Sequence, residues 1–278
     1  MTKHFSLPTV ILCAATMLAG CLQNNNQSSK TEPLPTDSVH IALQYPAATD
    51  TSPLCQVAIS LAYPAAYQDE TRLAALHTLL TTLLFGPEYA PFAPLSAAAD
   101  TVANRTLEQL CAMRIPLTDE DFPSGAAFAT EIKAGPIYNN GEFLVYHRYW
   151  YSYEGGAHGM YTDTYDVIYL PTLTRLTLDD IFAPGSIDKL NDMLIRQLLE
   201  DQHLNSREEL NNAGYFDAEN IKATENFAID NHGITWTYNP YEIGCYAIGE
   251  TRITLSYEQI GYCIAEDSPI YNLIDNRK

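Results

Sequence analysis

Glu154-Gly155-Gly156-Ala157-His158 sets a carboxylate and an imidazole four residues apart, across two glycines. A glycine-rich turn exposes its side chains, and a Glu/His pair held there is a candidate acid–base or ligand pair. Asp163 is a second carboxylate within reach along the chain. The ordinary structural role is the stronger expectation: Gly155 and Gly156 supply positive φ, and His158 hydrogen-bonds the turn. No recognised motif places a serine or cysteine nucleophile nearby. Tyr238-Asn239-Pro240-Tyr241-Glu242 is a second candidate contact region. Pro240 forces Asn239 into an extended loop. Glu242 is expected to meet a backbone donor or a cation such as Arg252.

Metal chemistry has little support. Metal-dependent hydrolysis needs three or more convergent ligands. The histidines (His4, His40, His77, His147, His158, His203 and His232) are scattered, without HxxxH or HxH, and the cysteines form no CxxC or CxH pair. No metal or cofactor is therefore expected. Tyrosine is abundant, at 19 residues, and eight lie between Tyr138 and Tyr169 together with Trp150. Along Glu142–Tyr153, Tyr149, Tyr151 and Tyr153 share one face, and Tyr146 and Trp150 the other. Aromatic rings of this kind stack sugars. A strand apolar on both sides is more often central in a sheet, so packing is the primary expectation.

The elements that must carry these residues read as α+β. Leu54–Tyr63 alternates like a strand and ends at Pro64. Asp69 caps a helix striped by Leu73, Leu76, Leu79, Leu80, Leu83 and Leu84, which Gly86-Pro87 stops. A second helix spans Leu95–Met113 with Leu107, Leu110 and Cys111 inward. Asn139-Asn140-Gly141 joins Ala126–Tyr138 to Glu142–Tyr153 as a hairpin. Tyr161–Leu170 continues the sheet. Ser186 caps Ile187–Asp201, whose Leu190, Leu194, Ile195 and Leu198 share a face. Asn231-His232-Gly233 turns a second hairpin from Asn226–Asp230 into Ile234–Tyr238. Thr251–Ser256 is the last strand, and Tyr257–Ile264 a closing helix. The fold class is α+β, with mixed and antiparallel sheets and long hairpins. Two helices pack the first half and one main helix the second.

The N-terminus carries an address. Lys3 and His4 precede the apolar Ser6–Ala19, which is short for a membrane span. Leu18-Ala19-Gly20-Cys21 has the form of a lipoprotein lipobox, so Cys21 is expected to carry the lipid. Several acyl chains there would anchor the protein, each buried methylene adding about 0.8 kcal/mol. Residues 22–38 are polar, and as a coil they reach roughly 20–25 Å. Cys13 leaves with the signal peptide, and four cysteines remain. Export favours disulfides, and the economical pairing is Cys55–Cys111 with Cys245–Cys263. With 15 Lys+Arg against 34 Asp+Glu the chain has a formal charge of −19. Such a surface repels nucleic acid and anionic lipid heads and would suit a cationic partner, while solubility alone is the stronger expectation.

The half from about Tyr146 to Ile264 resembles the domain of unknown function shared by the RsiV-type anti-sigma-factor ectodomain and the peptidoglycan deacetylase PdaC. Gly155-Gly156-Ala157-His158, Leu176-Thr177-Leu178-Asp179-Asp180-Ile181-Phe182 and Tyr238-Asn239-Pro240-Tyr241-Glu242-Ile243 carry the match. CQVAISLAYP and the leucine-rich helix after it are similar to the module that precedes that domain. No deacetylase domain, cytoplasmic sigma-binding segment or membrane helix accompanies them. The resemblance implies a stand-alone bacterial lipoprotein. Its parts are a signal peptide at 1–20, a tether at 21–38, modules at 39–148 and 149–266, and a tail at 267–278. It implies a non-catalytic binding or sensing role in the cell envelope, anchored through Cys21 and facing the periplasm from the outer membrane. The partner would be peptidoglycan or a cationic wall-attacking protein such as a lysozyme. Glu154, Gly155, Gly156, His158, Tyr238, Tyr241 and Glu242 are the candidate binding residues. The alternatives are a wall-glycan hydrolase using His158 with Glu154 or Asp163, and a structural envelope protein with no small ligand.

Overall fold

The computed structural model describes residues 32–46, 52–92, 94–117, 122 and 125–275. The expected signal peptide, Cys21 and most of the expected tether lie outside the described residues. The elements in chain order are β1 (Thr36–Tyr45), β2 (Cys55–Pro64), α1 (Glu70–Phe85), α2 (Leu95–Arg114), β3 (Phe128–Asn139), β4 (Phe143–Tyr153), β5 (Met160–Tyr169) and β6 (Thr174–Arg175). Then come α3 (Leu178–Ile181), α4 (Ile187–Asp201), α5 (Arg207–Asn212), β7 (Phe227–Ile229), β8 (Gly233–Tyr238), β9 (Thr251–Ser256), α6 (Tyr257–Ile260) and α7 (Tyr271–Asp275). Strands β1 to β6 follow one another in a six-stranded mixed sheet, and β7 to β9 form a three-stranded one. Among the described residues no helix is long and apolar enough to cross a membrane.

Two compact units share these elements: Met1–Gly135 with Arg148–Tyr161, and Pro136–His147 with Thr162–Lys278. The expected cut at 148/149 falls beside one crossing, but the chain also crosses within β3 and β5. The long hairpin strands thus serve both units.

In the first unit β1 runs antiparallel to β2, from Thr36 opposite Pro64 to Tyr45 opposite Cys55. The first strand among the described residues therefore starts at Thr36, inside the expected tether. Thr36, Asp37 and Ser38 are exposed, so their polarity hides a strand that pairs only through its backbone. Val39, Ile41 and Leu43 on β1, and Val57, Ile59 and Leu61 on β2, alternate inward. The crossover α1–α2 lets β3 run parallel to β2. Asp69 accepts from the Arg72 amide at 2.9 Å, and Gly86 ends α1 with φ 106°. Leu76, Leu80 and Leu84 are buried, whereas Leu73, Leu79 and Leu83 are half-buried, because the stripe is wider than the contact. On α2 the small Ala98, Ala99 and Ala103 are fully buried and let the helix lie close to its neighbours.

The second unit packs Phe143 and Val145 of β4 and Tyr165 and Val167 of β5 with Leu190, Leu194, Ile195 and Leu198 of α4 and with the inner face of β7–β9. The β3–β4 turn is built by Asn140, whose Oδ1 accepts from the Glu142 and Phe143 amides at 3.0 and 2.7 Å. Ser186 precedes α4 without capping it by its side chain. Its hydroxyl instead donates to the Ala183 and Cys263 carbonyls at 2.7 and 3.1 Å, tying α4 to the closing turn. That turn splits into α6 and a 3-10 turn at Gly261–Cys263 rather than one helix. The expected tail folds: Ile270 is fully buried, and α7 follows it.

Candidate functional site

The candidate site is a groove of about 280 Å³ in the first unit. Strands β3 and β4, the end of α1 with the turn after it, and α2 build it. β4 presents Trp150 and Ser152 on one face by its two-residue period, and Glu154 continues that face just past the strand's end; Thr130 comes from β3. The end of α1 and the 3-10 turn Pro87–Tyr89 bring Phe85, Glu88 and Tyr89. One face of α2, at helical spacing, adds Val102, Thr106, Gln109, Leu110 and Met113. Arg148 fixes β4 to α1 by donating from Nη1 to the carbonyls of Leu83 and Leu84 at 3.3 and 2.7 Å. Those are helix-end carbonyls that need a partner. Arg105 lies over Tyr89 and Phe92, 5.2 and 5.6 Å from the ring centroids. The groove thus joins aromatic faces to hydroxyls, an amide and two exposed carboxylates.

Of the expected binding residues, Glu154 lines this groove. Gly155 stands at φ 98°, and a Cβ there would come 3.2 Å from Phe122 Cε2. Phe122 packs edge-on to Phe128, with the Arg114 guanidinium 5.0 Å from its centroid. Gly156, at φ 88°, faces open space and accepts the Tyr153 hydroxyl at 3.1 Å. His158 is exposed, and its Nδ1 lies 2.9 Å from the Gly159 carbonyl. It bonds the turn, in line with the structural role expected of it.

Tyr238, Tyr241 and Glu242 belong to the second unit. Tyr238 is buried and donates to the Lys222 carbonyl at 2.8 Å; burial, then the charge of Glu242, pushes its phenol well above the ordinary range. Tyr241 is half exposed in left-handed backbone (φ 72°), its ring 5.7 Å from that of Tyr246. Glu242 is exposed and accepts the Asn239 amide at 2.8 Å. It meets the backbone donor; Arg252 instead faces Glu250, at 3.8 Å.

The motif's working residue is one the sequence did not single out. Asn239 is buried, and its Oδ1 accepts the Asp163 amide at 2.6 Å while its Nδ2 donates to the Asp163 carbonyl at 3.1 Å. Asn226 repeats the move two residues along: it accepts the Tyr165 amide at 2.8 Å and donates to the Asp163 and Thr237 carbonyls. Two amide side chains thereby stand in for a strand partner along β5. The Asp163 carboxylate then meets His147 Nε2 at 2.5 Å, not His158. His147 stacks on Tyr165 with centroids 4.7 Å apart. Glu250 completes the group: burial, its hydrogen bond with Asp163 and the charge of Asp163 raise its carboxyl, against the opposing pull of Arg252 and His147. A carboxylate beside a second carboxylate is harder to ionise, which is the direction of the Glu250 shift. Among the described residues no group of three His, Cys, Asp or Glu is arranged to hold a metal ion.

The expected bridges Cys55–Cys111 and Cys245–Cys263 are not formed; all four cysteines are thiols. Cys55 and Cys111 nevertheless hydrogen-bond each other, and burial followed by that bond pushes the Cys55 thiol up to about 12. Cys245 packs on Gly214, while Cys263 is buried beside Lys189 and Tyr262, so those two thiols have separate surroundings.

These features define a two-unit α+β protein with asparagine-clamped strands. Residues 179–258 match the model of a family described as a protein of unknown function, DUF3298. The fold is similar to the crystal structure of a DUF3298 family member from Bacteroides fragilis NCTC 9343. That pair shares 28% identity and a TM-score of 0.77, over 89% of this chain and 100% of the other. A DUF3298 family protein from Pseudomonas aeruginosa PAO1 shares the fold at a TM-score of 0.56 and 16% identity, over 86% of this chain and 98% of that one. A comparison with curated proteins finds no match. The matched stretch contains both asparagine clamps and Glu250, whereas the groove residues precede it.

Proposed function

We propose that the protein is a lipid-anchored cell-envelope module that binds or senses a ligand without transforming it, and that the ligand is peptidoglycan or a cationic protein that attacks it. The groove of the first unit carries this reading. Aromatic faces combined with hydroxyls, an amide and carboxylates recognise ligands by stacking and hydrogen bonding. The formal charge of −19 adds attraction for a cationic protein. The lipobox at Leu18–Cys21 and the resemblance to RsiV-type and PdaC ectodomains support the envelope setting. The test is capture from envelope extracts with purified peptidoglycan and lysozyme as added baits, alongside palmitate labelling of wild type and Cys21→Ser. Retention of one bait, and loss of label in the variant, are the expected results. A protein that retains neither bait contradicts the binding role, and a labelled Cys21→Ser contradicts the anchor.

A further inference from the structure

Resting on that binding role, we infer that the groove of the first unit takes a single uncharged N-acylated amino-sugar ring of a glycan chain. Its size sets the first limit. At about 280 Å³ it lies just below the range of roughly 300–1,000 Å³ that holds drug-sized ligands, so it admits one ring or one side chain of a polymer.

Its lining sets the second limit. Trp150 offers a ring face for the apolar face of a pyranose, and Tyr89, whose ring also holds Arg105, lines the same groove. Thr106, Gln109, Ser152 and Glu154 bring polar groups to the same space, with Glu88 at the turn. That density of acceptors and hydroxyls suits a ligand donating from several hydroxyls. A lysine or arginine side chain would use the carboxylates and leave the threonine, serine and glutamine groups idle.

The apolar remainder points to the substituent. Val102, Leu110 and the exposed Met113 stand together on α2, where a methyl group of an acyl substituent can be buried. Among the described residues that line the groove there is no lysine, arginine or histidine, and the nearby Arg105 is engaged over the Tyr89 and Phe92 rings, so a ligand carboxylate would meet two carboxylates at the lining itself. A sugar that bears its own carboxylate is therefore disfavoured against an uncharged N-acetylated one.

Saturation-transfer NMR on the full chain tests this with N-acetylglucosamine trimers, N-acetylmuramic acid and an arginine-rich peptide as probes. So small a contact implies about millimolar affinity. Transfer to the acetyl methyl and ring protons of the neutral trimer is expected, with little to N-acetylmuramic acid. Trp150→Ala should weaken it by roughly tenfold or more. Met113→Glu, at an exposed position that folding does not need, should do so by several-fold. Transfer that survives both variants, or that appears only with the peptide, overturns the assignment. If intact peptidoglycan is captured while the trimer shows no transfer, the sugar assignment fails and the wider binding role stands.

Discussion

Asn239→Ala removes two hydrogen bonds to the backbone of Asp163 from a buried position. The Asp163 carbonyl keeps its bond from Asn226, but its amide loses the 2.6 Å acceptor. A buried donor left unsatisfied costs about 1–3 kcal/mol, and the second lost bond adds about 1 kcal/mol. The expected destabilisation is therefore roughly 2–4 kcal/mol. At about 2–4 °C per kcal/mol, the value for chains of 150–250 residues, that lowers Tm by roughly 4–16 °C. Asn239→Asp separates the two bonds: it keeps an acceptor for the amide, loses the donor to the carbonyl, and adds charge next to Asp163. It should also be destabilised, and more so at neutral than at acid pH. The assay is thermal and urea unfolding followed by circular dichroism, with Glu242→Gln as a milder control. An Asn239→Ala protein within about 0.5 kcal/mol of wild type would refute the clamp.

Other outcomes follow from the same geometry. Glu250 has a raised carboxyl in the folded state, so its contribution is fully present below the unfolded pKa and is lost as pH rises through the folded one. Glu250→Gln should flatten that limb of the stability–pH curve and be the more stable protein at pH 8, and an unchanged curve counts against the raised carboxyl. His158→Ala should shift stability by less than about 1 kcal/mol, because the residue is exposed and its bond is local, whereas Gly156→Val, forced to φ 88°, should cost roughly 1–3 kcal/mol; a His158→Ala protein that melts normally yet abolishes cleavage of wall fragments by wild type would instead promote a hydrolase. The Cys55 and Cys111 thiols already touch, so non-reducing peptide mapping of envelope-purified protein should link them and leave Cys245 and Cys263 unjoined. The long loop closed would add about 4 kcal/mol, and four alkylatable thiols in that protein would remove the expectation.

Local signals made much of the fold legible. Asp69, Gly86-Pro87 and Asn139-Asn140-Gly141 act within a few residues of themselves, and α1, its end and the β3–β4 turn fall where they direct. β1 does not read as a strand in the sequence: its first residues, Thr36–Ser38, are polar and exposed and look like the tether before them. The groove was not legible: Trp150 reads as packing and Glu154 as a partner of His158, and Thr106, Gln109 and Met113 look like a solvated helix face until the fold brings α2 to the same groove. The clamps were not legible. Asn239 and Asp163 are 76 residues apart, and an asparagine in a proline loop carries no sign of which backbone it will bind. The His147–Asp163 pair was missed for a similar reason: strand register, not spacing, brings the two together, so His158 looked like the nearer partner.

The central claim, ligand capture through the groove of the first unit, is met most directly by hydrogen–deuterium exchange of the full chain with and without each bait, solubilised peptidoglycan and lysozyme. The account predicts slowed exchange in the segments that line the groove, residues 85–89, 102–113 and 150–154, with one of the baits. Binding that protects other segments and leaves these three unchanged would contradict it.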